Sequence, residues 1–558
     1  MNSTFYGKFV VLFFLITLFN SSLIYSEIHI RINQVGFLPE DVKSGVILSD
    51  HSLNKLDYSI VNSKTNKSVY NGQVFNSVTT YGNFRFTYRF QFTELTETGT
   101  YIFIIGNKKS YPFKIGKEVY NGIADSLLQF FSLQRCGYTE PFMHEICHIA
   151  DASLIIEDGK ELNEKYDLTG GWHDAGDYVK FLNTTAYATY TLLLAYDFAP
   201  EKFNFDNNGN NVPDILEEAK VGLDWLLRAN LLVQHGELKK YKLITQVQTL
   251  QDHDVGWRMP EQDPLQFERP AFAGIGKNLI GIYAAALSLG SRIWDAKFNY
   301  KEYSDKCLTA AEDLYSIHKN VPDIDTNGTG MYIDKKFYGK LALGAVELYK
   351  STQKNKFLKL AKEYADSAKS DYWWSWGDIN SFAHFRLAEY DPKYIEYIRK
   401  NLEHFNDTQK KNIFGQGAAY SWGTNNTLIG ICLQNILYKS LTNDKSFDTL
   451  DVFQRDFILG KNQWGISFIY NIGSNFTKKF HHQIAYFKNG YLLGGFAAGP
   501  VTKEFLDSYE IPFESSDKYS KFQTDFSFYR DDRMDYICNE PTISANATAI
   551  FVMGFYSN

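Results

Sequence analysis

The stretch "DILEEAKVGLDWLLRANLL", Asp214 to Leu232, sets Ile215, Leu216, Ala219, Leu223 and Leu226 at helical spacing, which gives one apolar and one charged helix face. The same texture returns in "YNGIADSLLQFFSL" (120–133), "TAYATYTLLLAYDF" (185–198), "NLIGIYAAALSLGSRIW" (278–294) and "KLALGAVELYKS" (340–351). About a dozen such segments run from Glu118 to the C-terminus. So many helices around one core predict a helical barrel or paired toroid, with long loops at one end building a site. Upstream the period changes to that of strands. From Ile28 to about Ile115, "IHIRI", "FRFTYRFQF" and "TYIFII" alternate between turn clusters such as "NSKTNKS" and "NGQ", which predicts a small antiparallel sandwich. No strong repeat or disordered linker interrupts the chain.

At 558 residues the chain exceeds what one core usually fills, so two domains are expected. A net charge of −7 with no basic block argues against a nucleic-acid partner. Near the start, Lys8 is followed by an apolar run from Phe9 to Phe19 and the polar break Asn20-Ser21-Ser22. That run is short for a bilayer span and fits a secretory signal cleaved after Ser26; an uncleaved anchor is the alternative, because Leu23, Ile24 and Tyr25 extend the apolar character. The expected organisation is a signal at 1–26, a sandwich at 27–116 and a helical domain at 117–558, in a secreted, monomeric protein with no membrane insertion after cleavage. Sequons lie at Asn183, Asn327 and Asn475. Five cysteines, Cys136, Cys147, Cys307, Cys432 and Cys538, are too few and too odd in number for a disulfide framework.

Three stretches carry possible chemistry. In "GGWHDAGDYVKF" (170–181), His173 stands against Asp174 and Asp177 among three glycines. A glycine-permitted turn explains this as well as a site does. "RCGYTEPFMHEICHIAD" (135–151) supplies Cys136, Cys147 and His148, which with His173 make a tetrahedral zinc set; a Cys136–Cys147 disulfide is the competing reading. "DNNGNNVPDILE" (206–217) places Asp206, Asn208, Asn210, the Val212 carbonyl, Asp214 and Glu217 at the oxygen positions of a calcium loop, with Asn211 for the usual glycine. The same residues also read as a polar helix-capping turn. Near the end, "YRDDRMDYICNEPTISANA" (529–547) offers Glu540. A carboxylic acid and a carboxylate from distant loops are what hydrolysis of a glycosidic bond requires.

"GGWHDAGDYVKF" and the terminal pattern of Tyr529, Asp531, Tyr536, Glu540, Thr542 and Asn546-Ala547 resemble the two catalytic segments of glycoside hydrolase family nine, the inverting cellulases. "INQVGFLP" (32–39) resembles the immunoglobulin-like domain that precedes the barrel in one branch. The resemblance implies a mainly α fold, an (α/α)6 barrel behind that sandwich. It implies Asp177 as base, Asp174 holding the water, Glu540 as acid, zinc on Cys136, Cys147, His148 and His173, calcium near 206–214, and no organic cofactor. The sequence also departs from the family. The usual His-x-Arg substrate segment is His481-His482-Gln483, Gln463 and Phe480 stand where proline is common, and Asn278 and Ile282 replace acids of a second calcium site. Trp257, Tyr420 and Trp422 read equally as sugar platforms or packing. The expected activity is hydrolysis of β-1,4-glucans. The alternatives are a chain-end enzyme on short gluco- or amino-sugar oligosaccharides and an inactive carbohydrate-binding protein.

Overall fold

The computed structural model describes residues 27–558 except 54, 76–77, 163–165, 232–241, 327–331 and 333. The expected signal at 1–26 and the sequon at Asn327 lie outside the described residues.

The sandwich has one sheet ordered Ile28–Arg31, Ser44–Ser49, Phe84–Gln91, Thr79–Tyr81, all antiparallel. The other is centred on Gly99–Ile105, flanked by Asp57–Asn62 and Phe113–Ile115. Strand period decides what goes inside: in Phe84–Gln91, Tyr88 and Phe90 are buried while Arg85, Arg89 and Gln91 are exposed. Phe37, Ile47, Phe92, Phe103 and Phe113 complete that core. Ser44–Ser49 is buried at every position because both of its faces are covered. Ile47 enters the sandwich, whereas Val46 and Leu48 join the core of the helical domain. The "INQVG" segment makes the junction: Asn33 Nδ2 donates to Asp456 Oδ1 at 2.9 Å and Gln34 Nε2 to Gly465 C=O at 2.8 Å. Arg455, fully buried, ties Asp41 of the sandwich at 3.0 Å to the barrel.

The helices are α1 (Ile123–Gln134), α2 (Leu182–Phe198), α3 (Asp214–Arg228), α4 (Lys277–Phe298), α5 (Lys301–Ser316), α6 (Tyr338–Thr352), α7 (Asn355–Ala368), α8 (Asn380–Ala388), α9 (Ile395–Lys411), α10 (Thr424–Thr442) and α11 (Asp448–Ile458). Three short helices, α12 (Gln483–Phe487), α13 (Lys503–Asp507) and α14 (Tyr536–Asn539), precede α15 (Ile543–Phe555). Helices α2, α4, α6, α8, α10 and α15 close an inner ring in that order; α3, α5, α7, α9, α11 and α1 each pack outside one of them. This is the (α/α)6 barrel. Burial follows position: every residue of α2 from Leu182 to Ala195 is buried, whereas outer α7 buries only Phe357, Ala361 and Ala365, one per turn. Helices α4 and α6 meet backbone to backbone, since a Cβ on Gly281 would lie 2.2 Å from the Lys340 carbonyl carbon.

The near-all-α expectation for this domain missed a five-stranded sheet, ordered Lys160–Leu162, Leu154–Glu157, Pro270–Gly274, Leu243–Val247, Lys180–Phe181. Its strands are too short and scattered to show a period. Among the described residues no helix is long and apolar enough to cross a membrane.

Candidate active site

Each inner helix is entered from one end of the barrel, and the segments before them carry the polar and aromatic groups. Asp174 and Asp177 precede α2, His253 and Trp257 precede α4, Tyr332 precedes α6, Trp422 precedes α10 and Glu540 precedes α15. In the 170–181 loop Gly170 and Gly171 take φ of +88° and +69°, as a tight turn requires. Gly176 differs from the expectation of positive φ. Its lack of a side chain makes room, because an added Cβ would lie 2.3 Å from His481 C=O and 3.0 Å from Glu540 Oε1.

The two carboxyl-bearing loops are knitted into one piece. Gly176 N–H donates to Glu540 Oε1 at 3.0 Å, Ile543 N–H to Asp174 C=O at 3.0 Å, and Gln483 N–H to Gly176 C=O at 3.2 Å. Asp174 and Asp177 lie in bends, and no helical turn aligns them.

Their environments differ. Burial, reinforced by the negative charge of Asp177, pushes Glu540 up to about 8, against the opposing pull of His253 and the Gly176 N–H. Asp177 Oδ1 accepts from Val179 N–H at 3.1 Å, and Oδ2 accepts from His253 Nε2 at 2.6 Å. That hydrogen bond raises the imidazole to about 9, so His253 is a cation at neutral pH. Asp174 is fully enclosed; Oδ1 accepts the Thr184 hydroxyl, and burial followed by the Asp177 charge lifts the carboxyl to about 7. Its Oδ2 is buried with no hydrogen-bond partner among the described residues, and the Tyr332 phenol faces this carboxyl from the loop before α6. Sequence reasoning passed over both His253 and Tyr332. His253 sits in "QDHDVGW", four residues before Trp257, but one histidine has no spacing rule; Tyr332 had no local signal at all.

The expected sugar contacts separate. His481 is buried and held neutral, its pKa lowered to about 4 by burial, with Nδ1 donating to Arg533 C=O at 2.8 Å. Its ring lies 5.0 Å from that of Trp257, which stacks on Tyr486 at 4.8 Å and 6°. Trp422 meets Tyr536, the neighbour of His481, at 6.2 Å. Tyr420 packs elsewhere, accepting from Gln463 Nε2 at 2.7 Å and lying against Phe457. Gln483 turns its amide onto the protein: Oε1 accepts from Arg258 N–H at 2.8 Å, and Nε2 reaches Gly256 C=O at 3.4 Å. It braces the loop that presents Trp257.

Behind the 170–181 loop, one donor atom each from Cys136, Cys147, His148 and His173 lies within 4.8 Å of the others, all buried. Both thiols are free. Burial lowers His173 to about 4, which leaves a neutral imidazole. His148 Nε2 reaches Asp263 Oδ2 at 3.0 Å, leaving Nδ1 toward the cluster. Two sulfurs and two neutral imidazoles, oriented by a carboxylate behind, make a closed metal-binding set. In the 206–217 loop, Asp206 accepts from the backbone N–H of Gly209 and Asn211, each at 2.8 Å. Asn211 has a φ of +68°, and the Asn208 and Asn210 amides both turn toward Glu217.

A family model described as Glycosyl hydrolase family 9 matches residues 120–553, and one described as Cellulase N-terminal ig-like domain matches 26–110. Endoglucanase D of Acetivibrio thermocellus is 26% identical over 522 residues, covering 86% of this chain and 79% of its own. The xyloglucan-specific endo-beta-1,4-glucanase BoGH9A of Bacteroides ovatus is 24% identical over 583 residues, covering 93% and 92%. The solved structure of a Zn-binding triple mutant of the family 9 endoglucanase J30 matches with a TM-score of 0.79 at 23% identity, covering 93% of this chain and 99% of that one. With the ring of twelve helices and the sandwich ahead of it, the chain belongs to glycosyl hydrolase family 9, the glycoside hydrolases in which an immunoglobulin-like domain can precede an (α/α)6 barrel.

Proposed function

We propose that the chain hydrolyses β-1,4-linked glucans, cellulose or a related polymer outside the cell, with inversion at the anomeric carbon. The observation that carries this reading is the contrast between two carboxyl groups on interlocked loops. Glu540 is held protonated up to about 8, while Asp177 is paired with a cationic imidazole. Opposite protonation states are what an acid and a base need at one pH. Glu540 donates its proton to the leaving glycosidic oxygen. Asp177 takes a proton from water as that water attacks the anomeric carbon from the opposite face. Inverting geometry calls for carboxyls ~6.5–9.5 Å apart, which leaves room for the water. Asp174 Oδ2 and the Tyr332 phenol supply a second anchor for it, and His253 stabilises the Asp177 anion until the proton arrives.

Zinc is the metal whose chemistry fits Cys136, Cys147, His148 and His173, and its role is structural. It pins the backbone of His173 one residue before Asp174. Calcium fits Asp206, Asn208, Asn210, Val212, Asp214 and Glu217, where it would draw the Asn208 and Asn210 carbonyl oxygens inward in place of their amides. Neither metal takes part in the bond-breaking step.

Proton NMR of products from a soluble β-glucan tests the central reading. The α-anomer appears first if inversion holds, and a first-formed β-anomer refutes it. Asp177→Asn and Glu540→Gln should each fold and lose turnover. A second reading, chain-end action on short oligosaccharides, draws on Gln483, whose amide serves the Gly256–Arg258 backbone where relatives carry an arginine. Profiling products on cellulose, mixed-linkage glucan, xyloglucan and chito-oligosaccharides separates the two, since release of monomer alone would exclude internal cleavage.

A further inference from the structure

Lys340, in the first turn of α6 and only 2% exposed, ends in a cage of oxygens. Its Nζ donates to the Lys336 and Gly377 carbonyls, each at 2.9 Å, and is ion-paired with Asp334. An ammonium carries three N–H donors, so this set satisfies it completely. The cage spans two segments: Asp334 and Lys336 belong to the approach to α6, and Gly377 to the approach to α8. The same approaches carry Tyr332 and Trp376, whose rings meet edge to face at 5.6 Å. From α4, Asn278 closes the base of the Tyr332 loop, with Nδ2 donating to Asp334 C=O at 3.2 Å and Oδ1 accepting from Asp325 N–H at 3.0 Å. Tyr332 itself packs on Phe181 at 4.5 Å and faces Asp174.

A buried ion pair adds little stability over an apolar pair of the same volume, because desolvation offsets the attraction. Its distinctive contribution is geometric. A tethered cation with three fixed oxygen partners locks two loop segments at one separation, which a methionine or leucine does not do.

We propose that Lys340 is a positioning residue for hydrolysis: its ammonium holds the approaches to α6 and α8 together and thereby sets the Tyr332 phenol over Asp174. This rests on the reading of Asp174 and Asp177 as the pair that holds and activates water. Lys340 touches neither substrate nor water and acts through Tyr332.

The test is a double-mutant cycle on cellopentaose hydrolysis with Lys340→Gln, Tyr332→Phe and the combination. Lys340→Gln should lower kcat by about ten- to hundredfold, the scale of a displaced positioning group, with KM changed less than about threefold. The combined variant should be no slower than Tyr332→Phe alone. A kcat for Lys340→Gln within about twofold of wild type, or losses that multiply in the combined variant, would overturn the proposal. If Lys340→Gln does not fold, Asp334→Asn, which keeps the ammonium and weakens its cage, is judged by the same two criteria. Turnover surviving in Asp177→Asn would remove the reading beneath the proposal. Loss there, with Lys340→Gln and Asp334→Asn both at wild-type kcat, removes this inference only.

Discussion

Glu540 supplies the most direct test of the chemistry. Its carboxyl is raised to about 8, by burial first and by Asp177 second. A general acid works only while protonated, so kcat/KM is flat below this value and falls about tenfold per pH unit above it. Protonation is about 99% at pH 6 and about 10% at pH 9, so about nine-tenths of the acid-dependent rate is lost between them. In Glu540→Gln no proton is available. The loss on an unactivated oligosaccharide should be about 10²- to 10⁴-fold, or about 2.7–5.4 kcal/mol of transition-state stabilisation. A 2,4-dinitrophenyl cellobioside leaves without protonation, so on that substrate the variant should recover most of the wild-type rate. Steady-state kinetics from pH 5 to 10 on both substrates gives the answer. If Glu540→Gln keeps the basic limb near 8, or loses as much on the activated glycoside as on the oligosaccharide, the acid is another residue.

His253→Gln removes the cation that holds Glu540 down, so the basic limb of the same profile should move to higher pH. Gly176→Ala forces a Cβ to within 2.3 Å of His481 C=O, and should lower kcat by about 10²-fold through displacement of the Glu540 loop, visible in steady-state kinetics. Elemental analysis should find one zinc held by the Cys136 cluster, and Cys136→Ser or strong chelation should lower the calorimetric melting temperature; an unchanged melting curve after zinc removal would argue against a structural role. Arg455→Met leaves Asp41 and Asp451 buried without their partner and should cost about 3–5 kcal/mol in denaturant unfolding.

The barrel was legible because apolar period is a local property, and helices such as α3 and α4 state it within a few turns. The catalytic neighbourhood was legible only in part. The structure brings Asp174, Asp177 and Glu540 together through Gly176, and a glycine kept for the close approach of another loop leaves no mark in its own sequence. His253 and Tyr332 reach the site across the barrel mouth, so their role depends on tertiary placement that no spacing encodes. Gln483 shows the converse. Its position in a substrate motif suggested a sugar contact, yet its amide is used up by the Gly256–Arg258 backbone, because a short side chain next to two backbone groups satisfies them first. Tyr420 lies in an aromatic-rich stretch with Trp422, but only Trp422 meets the Tyr536 side of the site.

Ser44–Ser49 belongs to two cores at once, with Ile47 in one and Val46 and Leu48 in the other. A strand shared in this way couples the melting of the two units, since neither can open without exposing apolar surface of its neighbour. The protein should therefore unfold in a single calorimetric transition, and a catalytic fragment cut free of the first eighty-odd ordered residues would emerge with an uncovered greasy flank and a stranded Arg455. In this chain the immunoglobulin-like domain behaves less as an appended module than as the missing wall of the barrel.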